Sequence, residues 1–519
     1  MRRKLSWLFV AVALPAGVLF SETGPTERDR ARLLLARATY GARSGDVEAL
    51  VEQGAESWLD EQLQPERIKD PFVDAKLSRF DDLELSTAEL MEKYPRPTRE
   101  ERQAMQEARK QGTRMHRPRG PQTIVRDLSQ AKLVRAVHSE RQLQEVMTDF
   151  WFNHFNVYAR KNRNTLLALP SYERDAIRPH ALGSFHELLL ATAQHPAMLF
   201  YLDNWINTKD GFDPREALRS QFGGPRRGRG RGRGRAQREE GARRTLGINE
   251  NYARELMELH TLGVDGGYNQ RDVIEVARAM TGWSVVGPQA AKIRERIERR
   301  AGKNRVPAAL RSMPDEGSFF FNRLAHDDGP KTLLGTRIDE GGIDDGLSVI
   351  RLLSRHPSTA RFISTKLAQR FVTDTPSDAL VNEMSDTFSR TDGDISAVLR
   401  TMFLSPRFVE EGTAGDKVKT PLELVASALR ATGGDVEGPG PAHFVAELGM
   451  PLYLCQPPTG YDEAASAWLS AGSVLTRTRF ASALASGMLP GVHIPEETAL
   501  GSSAPELAVA LASPDFQRQ

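Results

Sequence analysis

The spacing of hydrophobic residues along this chain is that of an α-helical protein. Apolar side chains recur every three or four positions over residues 344–371 and 377–403, which predicts amphipathic helices there. Residues 123–155 carry the longest apolar stripe and predict one long helix. Strand-like patterns are few and short, as at residues 318–321. The sequence therefore predicts a mainly α fold, a large multi-helix domain over residues 26–519 with few short strands.

One helix start is predicted residue by residue. Thr420 is a favourable N-cap, Pro421 suits the first helical position, and Glu423 stands at the third. This pattern predicts a helix over residues 421–431.

Two segments interrupt the helical pattern. Residues 223–241 contain a run of alternating Gly and Arg, whose high ordering cost and mutual repulsion predict a disordered, low-complexity insertion. Residues 290–312 mix Arg, Lys and Glu and predict a second, charged insertion. The Gly/Arg tract is suited to anionic surface polymers by charge alone, and the alternative is an insertion without a partner. Across the chain 70 Lys and Arg face 68 Asp and Glu, so no specific nucleic acid is expected.

The N-terminus has the three parts of a secretory signal. A basic start, Arg2 to Lys4, precedes an almost wholly apolar run over residues 5–20 and then the small residue Ser21. We therefore expect a signal peptide over residues 1–21 and an exported protein that is periplasmic, envelope-associated or secreted. An uncleaved N-terminal anchor is the alternative. The single cysteine, Cys455, excludes an internal disulfide.

The densest group of polar residues lies on a predicted helix within residues 247–267. Glu255 and Glu258 fall on one face of it, where they are candidates for acid–base catalysis or for holding a metal ion. Candidates for substrate binding on the same segment are Asn249, Asn251 and Arg254. The alternative is a packed helix whose Arg254 forms ordinary i,i+4 ion pairs with Glu250 and Glu258.

A second candidate, His154, stands among aromatic residues in Phe150 to Asn156. Polar groups in such apolar surroundings need hydrogen bonds, so His154 is either a metal ligand or general base, or part of a satisfied core network.

The third candidate is the loop that begins at His326. His326 and Asp327 suit catalysis or a divalent metal, and Lys331 suits an anionic substrate group. The alternative is a capped turn before a short strand. The sequence has no Gly-x-Ser-x-Gly elbow, no Walker A loop and no His-Glu-x-x-His, so whether the protein is an enzyme stays open.

Several long segments, in order, resemble the bacterial family called domain of unknown function 1800 (DUF1800). The resemblance covers nearly the whole chain after the signal. Its main carriers are KLVRAVHSERQLQEVMTDFWFNHFNV (132–157), IRPHALGSFHELLLATAQHPAMLFYLDN (177–204), GINENYARELMELHTLGVDGGYNQRDVIEVARAMTGWS (247–284), HDDGPKTLLG (326–335), HPSTARFISTKLAQRFV (356–372), KTPLELVASALRATG (419–433) and a Pro-Pro-x-Gly-Tyr stretch at Pro457.

The resemblance implies a bacterial, exported protein without an established activity. Genes of this family often lie beside those of a sulfatase-like family, DUF1501. We therefore expect an accessory or partner of a sulfatase-like exported protein acting on the envelope or on extracellular polymer. The alternative is an exported metal-dependent hydrolase whose site combines His154, Glu255, Glu258, His326 and Asp327.

Overall fold

The computed structural model describes residues 26–111, 120–213, 247–287, 299, 313–414, 417–495 and 503–519. Within these residues the mainly α fold is confirmed, with short strands between the helices. The predicted signal peptide, the Gly/Arg tract and, except for residue 299, the charged insertion lie outside the described residues. No helix in the described part of the chain has the length and apolar character needed to cross a membrane.

The α-helices up to residue 287 are α1 (Glu27–Ala38), α2 (Asp46–Gln53), α3 (Ala55–Gln62), α4 (Pro71–Leu77), α5 (Thr87–Lys93), α6 (Arg99–Lys110), α7 (Thr123–His138), α8 (Gln142–His154), α9 (Arg163–Ser171), α10 (Phe185–Gln194), α11 (Pro196–Tyr201), α12 (Asn251–Glu255) and α13 (Gln270–Ala279). The chain continues from α9 and from α12 directly into π-helical turns, Tyr172–Ile177 and Leu256–Thr261.

The α-helices after residue 313 are α14 (Ile343–Ser354), α15 (Pro357–Phe371), α16 (Asp378–Arg390), α17 (Ile395–Leu404), α18 (Pro406–Ala414), α19 (Pro421–Ala431), α20 (Gly440–Glu447), α21 (Ala471–Ala485), α22 (Ala504–Ala512) and α23 (Pro514–Gln517). The predicted start of α19 is confirmed: Thr420 caps it, and the Glu423 carboxylate accepts from the Thr420 backbone in return.

The strands form three separate antiparallel pairs. β1 (Trp283–Val285) pairs with β2 (Phe319–Phe321), and Trp283 lies opposite Phe321. The other pairs are β3 (Lys331–Leu333) with β4 (Thr336–Ile338), and β5 (Asp435–Val436) with β6 (Val492–His493). These short pairs join helices and do not form a layer of their own.

The prediction of one helix over residues 123–155 is wrong, because the chain turns between α7 and α8. Ser139 is extended, and its Oγ accepts from the Arg141 backbone N–H at 3.0 Å and donates to Asp70 Oδ2 at 2.5 Å. The Gln142 side chain donates to Ser139 O and accepts from the Tyr40 N–H. The apolar stripe continues across the turn, whereas the partners that fix it, Asp70 and Tyr40, are remote in sequence.

Apolar side chains from almost all of the described helices form one continuous core. Helix α8 lies within it: Trp151 is fully buried and its Nε1–H donates to Ala181 O at 2.9 Å. Helices α7, α9 and α19 pack around the same region. Helix α8 is thus largely buried, and the candidate site lies at its last turn.

Candidate functional site

His154 ends helix α8 and is 2% exposed. Its Nε2 lies 3.1 Å from the backbone oxygen of His260, an atom that only accepts, so Nε2 carries the proton. His260 stands in the π-helical turn Leu256–Thr261, and His154 thus satisfies a carbonyl near its C-terminal end. Burial, reinforced by the nearby Lys366 charge, holds the pKa of His154 well below its usual range. His154 is therefore a neutral imidazole with a lone pair on Nδ1.

That lone pair has no hydrogen-bond partner among the described residues, although Nδ1 is buried. A buried polar atom without a partner costs free energy and requires an explanation. The alternative in which His154 belongs to a hydrogen-bonded core network therefore explains the contact of Nε2 but provides no partner for Nδ1.

The segment around Asn249 is held to the preceding turn by its amides. Asn249 Oδ1 accepts from the Asn251 N–H at 3.0 Å, and Asn249 Nδ2 donates to Asp203 O at 3.1 Å. Asn251 Nδ2 donates to Leu202 O at 3.0 Å. Of the two predicted Arg254 ion pairs, only that with Glu250 is present in the described residues, at 3.1 Å.

Glu255 and Glu258 are both half-buried on this segment. Burial, followed by the neighbouring Glu258 charge, raises the pKa of Glu255. The Tyr268 hydroxyl donates to Glu258 Oε2 at 3.5 Å. Two interacting carboxylates are thus present as predicted, but their hydrogen bonds share no residue with those of His154.

The side chains of the His326 loop belong to a buried hydrogen-bond network. His326 is fully buried, with Nδ1 2.9 Å from Thr281 O and Nε2 3.1 Å from Asp345 Oδ2. Lys331, also buried, donates to the same Asp345 oxygen and to Asp327 O. Burial opposes ionisation of Asp345, yet hydrogen bonds from Lys331, the Gly341 N–H and His326 keep its pKa below the usual value.

Asp327 faces Arg278 instead, with two hydrogen bonds of 3.0 and 3.1 Å. The loop leads into strand β3, as the capped-turn alternative requires. In the described part of the chain no three His, Cys, Asp or Glu side chains are placed to share a metal ion. The structure thus does not bring the His154, Glu255 and His326 segments into one metal-binding group.

A cavity of about 410 Å³ lies at the end of helix α8 and is referred to below as the His154 cavity. It is lined by the end of α8, by one face of α15 together with Asp374 just after that helix, and by residues 459–464. Its polar lining includes Asn153, His154 and Lys366, and its aromatic lining includes Phe150 and Tyr461.

Residues 451–464 form a non-helical strap over this cavity, and Asn153 holds it in place. Asn153 Nδ2 donates to Tyr461 O at 2.8 Å, and the Tyr461 N–H donates to Asn153 Oδ1 at 2.7 Å. Asn156 Nδ2 donates to Cys455 O and Pro457 O at 3.0 and 2.7 Å. The polar residues of the aromatic motif in α8 thus bind the Pro-Pro-x-Gly-Tyr stretch directly.

The strap contains two unusual backbone conformations. Tyr453 has φ +63° although it has a side chain, and its hydroxyl donates to Glu173 Oε2 at 2.7 Å. Gly460 has φ +74°, and a Cβ there would lie 2.3 Å from Asn153 O. The Tyr453 conformation is one that a residue with a Cβ adopts only where its surroundings impose it, whereas a positive φ is ordinary for glycine. The close approach of Gly460 to Asn153 O requires glycine at this point of the strap.

Lys366 projects from helix α15, which starts at Pro357 with the His356 side chain as its N-cap. Its Nζ lies 5.6 Å from the centre of the Phe362 ring. Within the part of the chain that the structure describes, this ammonium has no hydrogen bond or ion pair. Burial lowers the pKa of Lys366, while Glu463 and Asp462 oppose that change.

The carboxylates on the cavity wall have other partners. Lys417 Nζ lies 3.0 Å from Asp374 Oδ1, and Arg370 Nη1 lies 3.1 Å from Glu463 Oε2. Asp462 Oδ1 accepts from the Ala464 N–H at 2.8 Å. The cavity thus contains an ammonium without an ion pair in the described residues and carboxylates with other partners, beside two aromatic rings.

Comparison with known proteins decides the family. The family model "Protein of unknown function (DUF1800)" matches residues 33–518, nearly the whole chain. The chain belongs to the DUF1800 family. No curated protein and no solved structure matches it. The segments that line the His154 cavity all lie inside the matched DUF1800 region.

Sequence reasoning found His154 but missed Lys366 and Asp462. Both lie in segments that carry the family resemblance, residues 356–372 and the stretch after Pro457. The signal that was available is the acidic Asp462-Glu463 pair directly after Gly460-Tyr461, a turn followed by carboxylates.

Proposed function

We propose that this DUF1800 protein is an exported binding protein for units of an envelope or extracellular polymer, working with a sulfatase-like partner. One observation carries the binding role. Lys366, whose ammonium has no hydrogen bond or ion pair in the described residues, lines the same cavity as His154, Phe150 and Tyr461.

A saccharide unit fits this lining. Its hydroxyl groups both donate and accept, so they suit a cavity that contains an ammonium and carboxylates together. Its flat C–H faces pack on aromatic rings, which contribute apolar contact area. A cavity with a few polar groups among apolar ones is the usual form of a small-ligand site.

The accessory role and export rest on the family resemblance and on the N-terminal signal pattern. The hydrolase alternative has weaker support, because no metal-binding group of three His, Cys, Asp or Glu side chains is found in the described residues. Metal analysis of the purified full-length protein tests that alternative, and a divalent metal in stoichiometric amount would support it.

Binding is tested with a glycan array of neutral, uronic and sulfated oligosaccharides, followed by calorimetry on the strongest binder. Thr459 is exposed at the cavity, so Thr459→Trp should block entry and abolish binding at little cost in stability. The control, Thr478→Trp, changes an exposed residue of helix α21 and should bind normally. Equal binding by both variants would place any saccharide site elsewhere.

Export and partnership need separate tests in a bacterium that encodes both proteins. Fractionation should find the chain in the periplasm, the envelope or the medium. Gentle pull-down from those fractions should recover a sulfatase-like protein. Recovery of the chain alone would contradict the partnership, and a cytoplasmic location would contradict export.

A further inference from the structure

Lys366 is the one basic residue among the described residues that line the cavity, and it has no ion pair there. Of the three carboxylates in the lining, Asp462 accepts from the Ala464 N–H, and the other two are paired with other basic side chains. Asp374 accepts from Lys417 and from the Ala465 N–H, and Glu463 accepts from Arg370. An ammonium in this position is available to an oxyanion of a ligand, to which it donates a charge-assisted hydrogen bond.

The acidic side chains of the wall do not make the region anionic, because buried cations stand behind them. Arg370 lies 2.6 Å from Glu423 and also contacts Glu463, and it is 4% exposed. Further buried cations influence Glu423 or Asp374 electrostatically, namely Arg37, Lys417, Lys419 and Arg477. Two of the three carboxylates that line the cavity, Asp374 and Glu463, are thus paired with the buried cations Lys417 and Arg370. The ammonium of Lys366 is not used by these pairs, so it can balance an oxyanion of a ligand.

We infer that the His154 cavity is specific for an acidic saccharide unit, in which Lys366 binds a carboxylate or sulfate oxyanion. The inference rests on the proposed saccharide-binding function and adds the ligand class and the residue that selects it. Carboxylate and sulfate share the chemistry that Lys366 recognises, so the ligand series below separates them.

Three probes of equal length share the galacto configuration: an oligogalacturonate, a sulfated galacto-oligosaccharide and a neutral galacto-oligosaccharide. Calorimetry on the full chain should give at least ten-fold tighter binding of one acidic probe than of the neutral probe. Lys366→Met retains the stem over the Phe362 ring but removes the charge. It should weaken the acidic probe by about ten-fold or more, to the level of the neutral probe.

Lys366→Arg retains a positive charge and should restore most of the preference. Lys161→Met is the matched control, because Lys161 pairs with Asp203 and is absent from the cavity lining. Equal affinities for all three probes, unchanged in Lys366→Met, would overturn the inference and leave saccharide binding intact. A Lys366→Met variant that weakens acidic and neutral probes alike would also overturn it, since the lysine would then only support the cavity. Failure of every array ligand would refute the proposed function itself.

Discussion

Asn153 and Tyr461 are joined by two hydrogen bonds, of 2.8 and 2.7 Å, in which one side-chain amide satisfies both the carbonyl and the N–H of a residue 308 positions away. This pairing attaches the strap to the end of helix α8. It places the Tyr461 ring and the following carboxylates on the cavity wall.

Replacing the amide of Asn153 by a carboxylate should remove one of its two hydrogen bonds to Tyr461 and retain the other. Asn153→Asp retains the oxygen that accepts from the Tyr461 N–H but loses the donor to Tyr461 O. A carbonyl left without its partner costs about 1–3 kcal/mol, so we expect unfolding in urea at lower concentration and weaker saccharide binding. The exposed Asn382→Asp is the control and should change neither quantity. Wild-type stability in Asn153→Asp would mean that the strap is held by other contacts.

Gly460 should tolerate no side chain. Gly460→Ala carries the strain of a positive φ and brings a Cβ to 2.3 Å from Asn153 O. Gly487 has a similar φ of +64° with nothing within 4 Å of the corresponding Cβ, so Gly487→Ala carries the strain alone. We expect a loss of about 1–2 kcal/mol for Gly487→Ala and a clearly larger loss for Gly460→Ala, by thermal or urea unfolding. Equal losses would show that the strap shifts freely away from Asn153.

Asp345 is expected to be structural rather than functional. Asp345→Asn removes the charge that His326 and Lys331 share in a fully buried network, which leaves a buried cation without its partner. Such a loss costs about 3–5 kcal/mol. The control Asp339→Asn breaks an exposed pair with Arg337 and should cost about 0–1 kcal/mol. An Asp345→Asn protein of normal stability would argue that this network has a role other than holding the fold.

Glu173 should contribute to the loss of folding stability at acidic pH. Burial opposes its ionisation, but Lys132, Arg178 and Arg135 outweigh burial and lower its pKa from 4.5 to about 2. Because the folded pKa is the lower one, this stabilisation is complete above pH 4.5 and is lost as pH falls towards about 2. Glu173→Gln should therefore lose roughly 3 kcal/mol at pH 7. Urea unfolding at several pH values should show the difference from wild type narrowing below pH 4.5.

The exposed Glu52→Gln is the control for this pH series and should follow the wild-type curve throughout. A Glu173→Gln difference that stays constant from pH 7 to pH 3 would exclude the ionised carboxylate as its cause.

The sequence determined the helical class, the family and the start of helix α19, because these depend on patterns of residues close together in the chain. Thr420 and Glu423 cap α19 as predicted, since both partners lie within one turn of each other. The same local reasoning missed the break between α7 and α8, because that turn is fixed by Asp70 and Tyr40 from other helices.

Tertiary structure alone decided which polar residues share a site. The sequence placed His154, Glu255 and His326 on equal terms as one candidate group. Packing buried His326 against Asp345, tied the Asn249 helix to its preceding turn, and left only His154 lining the cavity with Lys366. The physical reason is that a buried polar group takes the hydrogen-bond partners that remote segments bring to it, and spacing along one chain does not contain that information.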